Sequence, residues 1–286
     1  MKQSDKKFNN KVVLVTGASS GIGAALAREL FTQGASLVLL ARRTQRLITL
    51  AAEIDPTGER ILAVPCDVTK DGALEQAVSL ARHKFAKIDI AIANAGWSLK
   101  GNLETLSLQD YQRQWDTNVF GVLRTIYATL EDLKQTQGRL VVISSVKSYL
   151  AQQGDSAYST SKFALRALCA SLSGELAPYG VSVTHICPAY VATEIRKIDN
   201  QGTLHNDWPD QISPRLLMGT AQAAQQIVYA IHCRRREQVL STYGKLIVFL
   251  QPRFPWLVSW LIFKSKVKPI SRQKQEFSHE TSLKSS

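Results

Sequence analysis

Cysteine is sparse in this chain: four residues, Cys66, Cys169, Cys187 and Cys233, among 286. None stands in a CxxC pair, so neither a disulfide framework nor a zinc cluster is indicated, and buried thiols in a reducing compartment are expected. The five histidines form no HExxH or paired pattern, and no metal site is expected. The opening MKQSDKKFNN lacks the apolar run of a secretory signal. Acidic residues are also few, 23 against 35 lysines and arginines, for a net charge of +12. Nucleic acid is the first partner such a balance suggests. The basic residues are dispersed, however, gathering only at Lys6–Lys7, Arg42–Arg43, Arg234–Arg236 and from Lys264 onward. No nucleic-acid partner is therefore expected; a dinucleotide phosphate or an anionic membrane surface would use such clusters. A charged content of 20% argues against global disorder, and 45% apolar residues suffice for one sizeable domain.

What is present is an alternation. Continuous apolar runs at 12–17, 36–41, 61–68, 88–96, 139–145 and 181–188 read as strands. Between them lie helical stretches from Ile22 to Gln33, Thr44–Ile54, Ala73–Phe85, a long one over Tyr111–Leu133, and Ala157–Ala177. A further helix over Ala221–Cys233 precedes VLST (239–242), a seventh strand. Strands that are apolar throughout suit a parallel sheet covered on both faces. The expected fold is α/β: a Rossmann-like, doubly wound, seven-stranded, mostly parallel sheet with helices on both faces. The sheet domain is assigned to 10–242 and an apolar-then-basic extension to 243–286.

The first strand runs into Thr16-Gly17-Ala18-Ser19-Ser20-Gly21-Ile22-Gly23. Glycines there permit a tight turn and close backbone approach to a pyrophosphate, which then meets the free N–H groups of the helix N-terminus. The spacing is not GxGxxG, and a plain strand-to-helix turn is the alternative. Downstream stand Asp67-Val68 after the third strand and Asn94-Ala95-Gly96 after the fourth. Together these motifs resemble those of the classical short-chain dehydrogenase/reductases, over about residues 10–242. The resemblance implies that Gly17, Ser19, Ser20, Gly21, Ile22 and Gly23 cradle a dinucleotide. It further implies that Asp67 and Val68 lie against adenine and that Asn94, Ala95 and Gly96 flank the same groove. Where NAD-preferring relatives usually carry Asp, this chain has Ala41, followed by Arg42 and Arg43. A guanidinium suits a 2′-phosphate, so NADP(H) is the expected cofactor; a solvent-exposed arginine pair is the alternative.

Tyr158 and Lys162 lie four residues apart, on one helix face. Ser145 stands thirteen residues before Tyr158, which resembles the family's Ser–Tyr spacing, and Asn118 in Thr117-Asn118-Val119 resembles its asparagine. The implied tetrad is Asn118, Ser145, Tyr158 and Lys162. Tyr158 would be the general acid/base, with its pKa brought down from about 10 by the Lys162 ammonium and by the positive nicotinamide when oxidised. Ser145 would hold the substrate oxygen, Lys162 would also bind the nicotinamide ribose, and Asn118 would hold a relay water. After the sixth strand, Pro188, Val191 and Thr193 are expected at the nicotinamide carboxamide, although Ala189 replaces the family's usual glycine. The segment 194–218 is expected to be a mobile lid over the substrate, and Trp97 and Trp208 are candidates for pocket lining.

The expected activity is hydride transfer between NADP(H) and a small-molecule carbonyl or secondary alcohol of lipophilic character. A 3-oxoacyl or 3-ketosphingoid-type reductase and a non-catalytic NADP-binding scaffold are the alternatives. The family also makes a homodimer an expectation. The run Leu246–Phe263 contains Gln251, Pro252, Arg253 and Pro255, which break it as a bilayer span. With its tryptophans and Lys264, Lys266 and Lys268, the stretch 244–268 is expected to lie on a membrane surface. Burial against its own fold, as a lid on the pocket, or against a partner subunit are the alternatives. The protein is expected to be cytoplasmic, and peripheral on the membrane if the surface reading holds.

Overall fold

A computed structural model of the chain describes residues 6–256 except 211, together with 258 and 260. The strands are β1 (Val12–Thr16), β2 (Ser36–Ala41), β3 (Ile61–Pro65), β4 (Ile90–Ala93), β5 (Arg139–Ile143), β6 (Ser182–Cys187) and β7 (Glu237–Val239). They form one sheet in the order β3-β2-β1-β4-β5-β6-β7, with every neighbouring pair parallel. The helices are α1 (Gly21–Thr32), α2 (Thr44–Ile54), α3 (Ala73–Phe85), α4 (Leu108–Trp115), α5 (Gly121–Gln135), α6 (Ser156–Glu175), α7 (Thr220–His232) and α8 (Thr242–Leu250).

Alternation within the strands divides the core. Val13, Val15, Leu37 and Leu39 pack with Leu26 and Leu30 of α1, Leu47 of α2 and Ile227 and Ile231 of α7. Val12, Leu14, Val38 and Leu40 face the other way, onto Leu74, Val78 and Ala81 of α3. Ala91, Leu140 and Val142 continue that second layer onto Val122 and Ile126 of α5 and Leu165 of α6. Both faces are thus dry, so each strand reads as an unbroken apolar run. Strand order reverses at β1 and β4, and the crevice outside their carboxyl ends is where a doubly wound sheet binds ligands.

Three elements differ from expectation. The helix expected over Tyr111–Leu133 starts earlier, because Ser107 and Asp110 form a capping box at α4. Its middle is a π-helical segment, Asp116–Phe120, which joins α4 to α5. The seventh strand is Glu237–Val239 rather than 239–242, since Ser241 turns to φ +64° and its side chain caps α8. The apolar run 246–263 divides between the end of α8, a turn at 251–253 and residues beyond. Lys264, Lys266 and Lys268 lie outside the described residues. No helix among the described residues is long and apolar enough to cross a membrane.

Candidate active site

The glycine turn is tied to β4 from both sides. Thr16 Oγ1 accepts from the backbone N–H groups of Asn94 and Ala95, each at 3.0 Å. Asn94 Nδ2 donates to the carbonyls of Thr16 (2.9 Å) and Gly17 (3.2 Å). A Cβ on Gly23 would stand 2.4 Å from the Gly17 carbonyl oxygen, and one on Gly17, whose φ is +64°, would stand 2.9 Å from Ala95 Cα. The glycines therefore let two chain segments close on each other and leave the N-terminus of α1 bare. Ile22 is partly buried against the core layer under α1. Asp67 Oδ1 accepts from the backbone and hydroxyl of Thr69 at 3.0 and 2.9 Å, which shapes the turn after β3, and Val68 is buried.

Beside this turn lies a ready anion site. Arg43 donates to Ser20 Oγ at 2.5 Å and to Ser19 Oγ at 3.4 Å. Its remaining nitrogen meets Glu194 at 3.1 Å, and Arg46 reaches both oxygens of the same carboxylate at 2.9 Å. Burial would raise the Glu194 carboxyl, but Arg46 and Arg43 outweigh it and hold its pKa below the ordinary value. Arg42, the first of the pair, is exposed. Arg43 and Arg46 thus hold an anion already, here a carboxylate of the chain itself, with Ser19 and Ser20 bound to the same Arg43 guanidinium. An open cleft of about 740 Å³ runs alongside, lined by Gly21, Ala25, Arg28, Thr193, Glu194 and Lys197 among others.

The four expected catalytic residues converge at the carboxyl ends of β4 and β5. Asn118 is fully buried in the π segment: Oδ1 accepts from Trp97 N at 3.1 Å, and Nδ2 donates to Trp97 O (3.1 Å) and Ser161 Oγ (3.2 Å). A Cβ on Gly96 would lie 3.2 Å from Asn118 Oδ1 and 3.8 Å from Lys162 Nζ, so the glycine keeps a gap open between them. Ser145 caps a 3₁₀ turn over Val146–Ser148; its hydroxyl accepts from Lys147 N at 3.1 Å and donates to Pro188 O at 3.4 Å. Ser144 is buried with no partner at its hydroxyl among the described residues. On the first turns of α6, Lys162 Nζ lies 5.6 Å from the Tyr158 ring centre and donates to Ile143 O at 3.2 Å.

Protonation departs from the expected lowering of Tyr158. Burial pushes the phenol up to about 12, and a hydrogen bond with Ser145 only partly offsets this. Burial also pulls the Lys162 ammonium down to about 8. The physical reason is common to both groups: the pocket is dry, so burial shifts each toward its neutral form.

Pro188, Val191 and Thr193 line the end of β6. Val191 is buried and paired with Met218 in an isolated bridge, which pins the base of the 194–217 segment. The Thr193 methyl would be 3.2 Å from a Cβ on Gly21, placing that segment directly over the glycine turn. Ala189 Cβ would be 3.2 Å from a Cβ on Gly244 of α8, so the extra methyl at 189 is accommodated by a missing one at 244. Tyr190 stacks on Tyr243 (6.1 Å, 19°), and Trp208 stacks on His205 (4.3 Å, 8°). Trp97 holds Asn118 through its backbone.

Two largely buried clusters, one of them with the exposed Glu237 at its edge, carry no sequence signature. Asp155, the residue before α6, pairs with Lys147 at 2.7 Å and with Lys100. Burial would raise its carboxyl, and the two ammonium groups outweigh that and hold it low. Under the Ser145 turn, His185 Nδ1 lies 3.3 Å from Cys187 Sγ and 3.6 Å from Glu237, which also accepts from the Tyr149 hydroxyl. These His, Cys and Glu donor atoms lie within 4.8 Å of one another. Burial drives the Cys187 thiol far up, so it stays protonated in what is a hydrogen-bonded cluster.

A family model described as short chain dehydrogenase matches residues 11–203. An uncharacterized oxidoreductase of Staphylococcus epidermidis is 33% identical over 226 residues, covering 79% of this chain and 92% of that protein. Oxidoreductase UcpA of Salmonella typhimurium is 39% identical over 189 residues, covering 65% of this chain and 72% of that one. Among solved structures, an alcohol dehydrogenase from the archaeon Thermococcus sibiricus complexed with 5-hydroxy-NADP superposes with a TM-score of 0.70. Its identity is 28%, over 82% of this chain and 97% of that chain. A Burkholderia phymatum protein in complex with NAD shares the fold, with a TM-score of 0.78 at 24% identity over 88% of this chain and 96% of that one.

Proposed function

Because the chain belongs to the short-chain dehydrogenase family, we propose that it transfers hydride between NADP(H) and a carbonyl or secondary alcohol, with Tyr158 as general acid/base. One observation carries the reading: Asn118, Ser145, Tyr158 and Lys162 meet beside a glycine turn that is open for a pyrophosphate. The preference for NADP(H) over NAD(H) rests on the Arg43 guanidinium, which lies against Ser19 and Ser20, already meets a carboxylate together with Arg46, and suits a 2′-phosphate. The bound dinucleotide supplies or accepts the hydride; the chain supplies position and the proton.

Ser145 Oγ donates a hydrogen bond to the carbonyl oxygen and orients it. Tyr158, protonated at neutral pH because its pKa is about 12, donates its proton to that oxygen as hydride arrives. The phenolate left behind is stabilised by the Lys162 ammonium, the majority form at pH 7 for a pKa of about 8. Asn118 positions the π segment, and the gap left by Gly96 gives a water room to link Lys162 to solvent. The test is turnover of a ketone panel with NADPH. Tyr158→Phe is expected to lower kcat at least a thousandfold while NADPH still binds within about threefold of wild type, in line with the usual weight of a general acid. A variant that keeps a tenth of wild-type turnover would remove Tyr158 from the mechanism.

A further inference from the structure

Helix α8 turns the usual burial rule around. It reads TYGKLIVFL, with Lys245 as its one charge, yet Tyr243, Leu246 and Phe249 are 42%, 54% and 54% exposed. At 100° per residue these three fall within one 120° arc. The opposite side carries Gly244, packed against Val146, Ala189 and Val239. Beyond the helix, Phe254 and Trp256 are 44% and 70% exposed. An apolar face is thus held out to solvent by a helix whose back rests on the turn bearing Ser145 and on the segment after Pro188, with two more exposed aromatics following it in the chain. Exposed apolar patches of this kind mark interaction sites.

The charge pattern selects the partner. Between Glu237 and Glu276 the chain has no acidic residue and seven basic ones: Lys245, Arg253, Lys264, Lys266, Lys268, Arg272 and Lys274. An apolar, aromatic face set in a purely cationic stretch complements an anionic lipid surface, whose acyl boundary takes the side chains and whose headgroups take the lysines. Helix α8 itself is nine residues long, too short to cross a bilayer, so its face would meet a membrane laterally. We propose that the α8 face docks on an anionic phospholipid bilayer, so that the mouth of the active site opens toward the membrane and takes lipophilic carbonyl substrates from it. The substrate part rests on the oxidoreductase reading above; the docking part does not.

The full-length protein is sedimented with phosphatidylcholine vesicles and with vesicles containing 30% phosphatidylglycerol. Wild type is expected to bind the anionic vesicles at least tenfold more strongly, with binding weakened by salt. The Leu246→Ser, Phe249→Ser, Trp256→Ser triple variant is expected to lose binding at least tenfold. Its turnover of a water-soluble ketone should stay unchanged, while that of a vesicle-borne long-chain ketone falls at least fivefold. Absence of vesicle binding by wild type overturns the proposal. So does equal binding by the triple variant, or a wild-type dimer that ignores vesicles and becomes a monomer in the variant, which makes a second copy the occupant. Should neither protein reduce any ketone, the oxidoreductase reading fails while the sedimentation result still decides the docking.

Discussion

At Lys162 stability and catalysis pull in opposite directions. Its ammonium is buried, with a single hydrogen bond to Ile143 O, and its pKa falls from 10.5 to about 8. Between those values the unfolded chain binds a proton that the folded chain does not, so this group's contribution to stability rises with pH across that window. Below it, holding the charge in the fold costs about 3 kcal/mol. Lys162→Met is therefore expected to be inactive yet more stable at pH 7, by roughly 1–3 kcal/mol in urea unfolding. The gap should close as pH approaches 10. A gap that does not move with pH would mean that packing, not charge, sets the difference. The same titration predicts that carbonyl reduction by wild type declines above pH 8, as the ammonium needed beside the phenolate is lost.

At the scale of elements, the segment after β6 is latched to the segment after β2. Glu194 sits on Arg43 and Arg46, where Arg43 also holds Ser19 and Ser20, so a 2′-phosphate entering there competes with the chain's own carboxylate. Glu194→Gln weakens the competitor without emptying the site. Its KM for NADPH is expected to fall threefold to tenfold, and its KM for NADH to move less than twofold, as steady-state kinetics would read. Arg43→Ala should raise the NADPH value at least tenfold, with Arg42→Ala acting in the same direction; equal effects on NADH would break the NADP(H) assignment. Neither the latch nor the Asp155 cluster was legible in the sequence, because they join residues 151 and 55 positions apart. The strands and most helices were legible, since a sheet buried on both faces writes each strand as an apolar run. The π segment at Asn118 was not, because slipping the hydrogen bonds by one residue leaves the apolar spacing of α4 and α5 nearly unchanged. That the four residues proposed as catalytic would lie together was legible because three of them fall within 18 residues, on one strand end and one helix face. Their protonation was not, since it depends on how dry the assembled pocket is.

For the whole molecule, the C-terminal segment is both a wall of the active site and an outward face, and truncation separates the two roles. The inner side of α8 is Gly244, against Val146 next to Ser145 and Ala189 next to Pro188. Tyr243 adds a stacked contact to Tyr190. These contacts brace the two backbone segments proposed to position the substrate oxygen and the carboxamide end of the cofactor, and on that proposal a shift of a fraction of an ångström there is enough to lower the rate. A chain ending at Ser241 is therefore expected to lose at least tenfold in kcat for a water-soluble ketone, even though all four residues proposed as catalytic remain. A chain ending at Leu250 keeps α8 but removes Phe254, Trp256 and the following basic residues. Its kcat for the same ketone is expected within twofold of wild type, while its binding to anionic vesicles falls. If both truncations keep full turnover, α8 is not part of the catalytic frame, and the Ala189–Gly244 contact is packing without consequence for the reaction. If both lose turnover equally, the residues beyond Leu250 contribute to the frame as well.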